Sequence, residues 1–117
     1  MINFVKKLLN YFFLWKNKPS SYSGFDNVVW VDSIDTSKLP KDSHVFYIAG
    51  FEHKAKWLHF NCPSGCGEVI SLNLMKSFNP HWELTFHTDK ELSVYPSVIS
   101  TTCGSHFWIE KNKVNWV

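Results

Sequence analysis

Two short turns, far apart in the sequence, restrict this chain more than anything else in it. The first reads Asn61-Cys62-Pro63-Ser64-Gly65-Cys66-Gly67-Glu68 and the second Cys103-Gly104-Ser105-His106. Each carries two side chains that bind metals. Each also carries glycine, which adopts backbone conformations that other residues avoid. A Cys-x-x-x-Cys turn facing a Cys-x-x-His turn supplies four soft or borderline ligands, the usual composition of a structural zinc site. One Zn2+ held by Cys62, Cys66, Cys103 and His106 is therefore expected. The competing reading is three buried free cysteines beside a core histidine, which the paired spacing and the glycines disfavour.

The cysteine count supports the metal. Three is odd, whereas secreted disulfide scaffolds normally use an even number. A reducing, cytoplasmic setting is expected, and clustered Cys and His there point to metal. Residues 2–15 are the most hydrophobic stretch, but Lys6, Lys7 and Asn10 interrupt it and no small-residue cleavage site follows. It falls short of the roughly 20 apolar residues that cross a bilayer. Phe4, Leu8, Tyr11, Phe12 and Trp15 recur at helical spacing. The spacing predicts an amphipathic helix over residues 1–18, docked on its own domain or on a partner. An interfacial membrane helix flanked by Lys16 and Lys18 is the alternative.

Beyond a polar loop at 17–26, strand signals dominate. Residues 27–32, 44–49, 56–60, 68–74, 82–87 and 107–110 are short, aromatic and β-branched. A terminal hairpin is expected to turn at 111–113 into 114–117. Pro40, Pro63, Pro80 and Pro96 fall between these runs and are read as turns. The expected fold is mainly β (α+β): a small antiparallel β domain over 19–117, organised around the zinc site and preceded by the helix.

Charge narrows the partners. All 12 basic residues are lysine and the net charge is +2. Without arginine the chain lacks the side chain that grips phosphates and guanine edges in bidentate fashion. Nucleic acid is not an expected partner.

Ligand type constrains mechanism. Three thiolates push electron density onto zinc and make it a poor Lewis acid, so the metal is read as structural. In a catalytic variant His106 would leave the metal to water, with Glu68 as base. Ser64 lies between two ligands. As a nucleophile it would need a nearby imidazole. His59, His81 and His87 are the candidates, with His53 a weaker one, and the Gly65 and Cys66 amides would form an oxyanion site. As a bystander it would hydrogen-bond a metal-bound sulfur.

At these residues the sequence resembles a small bacterial and phage family catalogued as domain of unknown function 6527. The resemblance covers roughly residues 56–116. It rests on Phe60-x-Cys62-Pro63-x-Gly65-Cys66-Gly67-Glu68, Pro80-x-Trp82, Pro96-Ser97, Cys103-x-x-His106-Phe107-Trp108-Ile109 and Val114-x-Trp116. It implies zinc binding and a link to bacterial ubiquitin-like conjugation operons. The function so implied is a peptidase that processes or removes a ubiquitin-like modifier. Ser64 would be its nucleophile, with His81 or His59 as base. Expected partners are the modifier or its conjugates, and the activating or conjugating enzymes. The family commonly carries cysteine where this chain has Ser64. The alternative is a non-enzymatic zinc-binding adaptor for the modifier, a conjugating enzyme or a phage component.

Overall fold

The β-branched and aromatic runs become strands because their alternating side chains cover two sheets that share one core. The computed structural model describes residues 21–117. Strands β1 (Asn27–Val31), β2 (Val45–Ala49), β3 (Trp57–Asn61) and β4 (Val69–Asn73) form one sheet in that order. Strands β5 (Glu83–Thr88), β6 (Glu91–Ile99), β7 (His106–Glu110) and β8 (Lys113–Trp116) form the second, also in sequence order.

The inner faces supply Phe46, Ile48, Leu58 and Phe60 from the first sheet, and Leu92, Val98, Phe107 and Ile109 from the second. All of these are buried in one cluster. Phe60 and Phe107 meet across the sheets edge to face, with ring centroids 6.4 Å apart. Each such side chain contributes about 1.5–3 kcal/mol by leaving water.

Three expectations are corrected. The fold is all-β among the described residues, not α+β. Its helical content there is two three-residue 3-10 turns, Thr36–Lys38 and Phe51–His53. The expected helix over 1–18 lies outside the described residues. The first sheet is not wholly antiparallel, since β1 and β2 pair in parallel. A parallel pair needs a long crossover, and residues 32–44 provide it. Finally, Pro96 is not a turn. It lies inside β6, where the register with β7 shifts between Val94 and Val98. Proline has no N–H for the ladder, and an irregular stretch is where a strand tolerates it.

No helix among the described residues is long and apolar enough to cross a membrane.

Candidate active site

The first turn joins β3 to β4. Its ends are closed by Cys62 N–H donating to Glu68 O at 2.9 Å, and its middle by Gly65 N–H donating to Cys62 O at 3.1 Å. Gly65 and Gly67 have φ of 81° and 91°, a left-handed backbone that favours glycine. The second turn joins β6 to β7 and is closed by Ser100 N–H donating to Ser105 O at 2.8 Å. Gly104 there has φ of 74°. Glu68 links the two turns. It accepts from the buried Ser100 hydroxyl, from Thr102 N–H at 3.3 Å and from Thr101 Oγ1 at 3.4 Å. Burial pushes the Glu68 carboxyl up, but these hydrogen bonds outweigh it and hold the carboxyl below its usual range.

The linked turns bring Cys62, Cys66 and Cys103 together, with ligand atoms all within 4.8 Å of one another. The three sulfurs suit a soft or borderline metal, so the residues fit a zinc ion in type and spacing. The thiols differ in character. Ser100, Ser105 and Ser64 surround the Cys103 sulfur at 3.2, 3.1 and 3.2 Å and lower its pKa to about 5. Burial, reinforced by Cys66, raises Cys62 to about 11.

His106 does not join this group. Ser64 contacts two of the sulfurs, its Oγ lying 3.1 Å from Cys62 Sγ and 3.2 Å from Cys103 Sγ. No histidine is hydrogen-bonded to Ser64 among the described residues. The two amides expected to form its oxyanion site are already engaged. Gly65 N–H bonds Cys62 O, and Cys66 N–H bonds Ser64 Oγ itself at 3.2 Å. Glu68, the base of the catalytic-zinc variant, is engaged by Ser100 and Thr102.

The other histidines have found different partners. His81 Nδ1 contacts Asn79 Oδ1 at 3.0 Å. His59 Nδ1 lies 2.8 Å from Ser71 Oγ, directly across the β3–β4 ladder, and burial lowers its pKa. His87 Nε2 lies 2.8 Å from Ser93 Oγ, which also accepts from Lys111 N–H. His106 Nε2 lies 2.8 Å from Ser97 Oγ.

This last pair differs from the others in its setting. Ser97 sits in the irregular stretch of β6, and His106 opens β7 directly after the Cys103 turn. Both are half-buried, on the outer face of the second sheet. Alternation fixes that face, because their neighbours Val98 and Phe107 point into the core. An imidazole nitrogen at hydrogen-bond distance from a hydroxyl is the arrangement that activates a serine nucleophile. The sequence does not announce this pairing, because Pro96 resembles a turn residue there and the spacing of His106 from Cys103 resembles a zinc pair.

No curated protein and no solved structure matches the chain. One family model does match, over residues 31–117, which takes in strands β2 to β8, both cysteine-bearing turns and the Ser97–His106 pair. By that match the chain belongs to the family of bacterial ubiquitination-like system serine proteases, BubE.

Proposed function

We propose that the chain hydrolyses a peptide or isopeptide bond to a ubiquitin-like modifier, with Ser97 as nucleophile and His106 as general base. The observation that carries this reading is the 2.8 Å contact between Ser97 Oγ and His106 Nε2. Ser97 Oγ adds to the scissile carbonyl carbon while its proton passes to Nε2. The tetrahedral adduct collapses as His106 gives that proton to the leaving nitrogen. The amine departs and an ester on Ser97 remains. Water then adds to the ester carbonyl and yields a proton to His106. The carboxylic acid departs as Ser97 regains its proton.

The cysteine group has a different part in this reading. Zinc bound by Cys62, Cys66 and Cys103 supplies a cross-link between the two turns. Cys103 would thereby be tied to the first turn, which would hold the loop that leads into His106. Ser64, in contact with the Cys62 and Cys103 sulfurs, would be a polar neighbour of that site and not the nucleophile. Partners are the modifier, its conjugates and the enzymes that attach it, in the cytoplasm.

The test uses a modifier of the same system carrying a C-terminal extension, and a fluorophosphonate that labels activated serines. Ser97→Ala and His106→Gln should each abolish cleavage, and peptide mapping should find the label on Ser97. Label on Ser64, or cleavage by Ser97→Ala, would overturn the reading.

A further inference from the structure

The outer face that carries Ser97 and His106 continues into a cavity of about 310 Å3. Its lining includes Thr85, Ser93, Tyr95, Trp108, Glu110 and Asn115. Tyr95 stands two residues before Ser97 and Trp108 two residues after His106. Along β7, at about 3.3 Å per residue, Trp108 stands roughly 7 Å from His106, the span of two residues of an extended substrate.

The chemistry of its walls is specific. Tyr95 and Trp108 are tilted towards each other at 38°, with centroids 6.2 Å apart, and both are exposed. Aromatic faces of this kind attract cations. Glu110 adds a carboxylate on the same face. Lys113 lies opposite Glu110 in the β7–β8 register, yet the ion pairs among the described residues are His44–Asp26 and Lys76–Glu83. Two aromatic rings and a carboxylate without an ionic partner among those residues suit a cationic side chain better than an acidic or aliphatic one.

We infer that the Tyr95–Trp108–Glu110 cavity is a substrate subsite that binds a lysine or arginine side chain within two residues of the scissile bond. The inference rests on the Ser97–His106 reading for its position, but its ligand chemistry stands on the cavity alone. A cation held by both rings and the carboxylate is worth on the order of tenfold in selectivity.

The experiment is cleavage-site profiling of a random peptide library with the full chain, alongside titration of the chain with Nα-acetyl-lysine methylamide. Cleaved bonds should carry Lys or Arg within two residues at about tenfold over the library. Glu110→Gln should reduce that enrichment to the library level, and Glu110→Lys should replace it with enrichment for Asp and Glu. In the titration the indole N–H resonance of Trp108 should shift with the unaltered chain and not with Glu110→Gln. Ser97-dependent cleavage with no Lys or Arg enrichment overturns the subsite. Cleavage that persists in Ser97→Ala overturns the Ser97–His106 reading instead. If no peptide is cleaved the titration decides: a Trp108 shift that Glu110→Gln removes supports the subsite, and an unmoved resonance overturns it.

Discussion

The Ser64 hydroxyl lies 3.2 Å from the Cys103 sulfur and 3.1 Å from the Cys62 sulfur, so one short side chain from the first turn reaches both. A thiol at that position would add a fourth sulfur to the three already gathered. Ser64→Cys should raise zinc affinity by on the order of tenfold or more, because zinc binds thiolate far better than hydroxyl. Competition with a chromophoric chelator measures this. Ser64→Ala should retain cleavage of the modifier fusion.

The three thiols should also react unequally once metal is removed. Cys103 is exposed, with a pKa of about 5, and is mostly thiolate at pH 7. Cys62 is buried, with a pKa of about 11. Iodoacetamide at pH 7 should therefore alkylate Cys103 first and spare Cys62 while the fold persists. Peptide mapping over a time course reads the order. Chelation should lower the melting temperature, and stoichiometric zinc should restore it.

Glu68 is the polar clasp between the turns. Glu68→Ala leaves the buried Ser100 hydroxyl without its acceptor, which should cost about 1–3 kcal/mol in urea unfolding. The Glu68 carboxyl titrates below its usual 4.5 in the fold. Its stabilisation is thus fully present above pH 4.5 and is lost as pH falls through the lowered value. The variant should show a flatter acid limb.

His59 predicts a separate acid sensitivity. It is buried against Ser71, and burial lowers its pKa from the usual 6.5. The unfolded chain therefore takes up this proton before the folded one does. Stability should be constant above pH 6.5 in this respect and fall as pH drops from there to the lowered pKa. His59→Gln should remove that segment of the pH–stability curve, measured by urea titration at a series of pH values.

Much of the sheet structure was legible because short runs such as Val69–Asn73 and His106–Glu110 alternate in a way a helix cannot use. The parallel pairing of β1 with β2 was not legible, since two five-residue strands do not encode their relative direction. Strand β6 was obscured by Pro96, which is punctuation in most strands and is accommodated here by the register shift. The cysteine group was legible from Cys62, Cys66 and Cys103, whose glycine-bearing turns announce close approach. His106 was harder. Its spacing from Cys103 copies a zinc pair, while its partner Ser97 is contributed by the neighbouring strand, and sequence order does not reveal that neighbour.

The placement of Ser97 and His106 on adjacent hydrogen-bonded strands has a consequence for regulation. His106 lies opposite Ile99 in the β6–β7 register and Ser97 precedes the paired Val98, so the pairing of the two strands brings them together. Because both residues sit on an outer face, the described residues do not enclose a polypeptide that reaches them. Under the proposed function, control falls on which proteins can lie flat against this sheet.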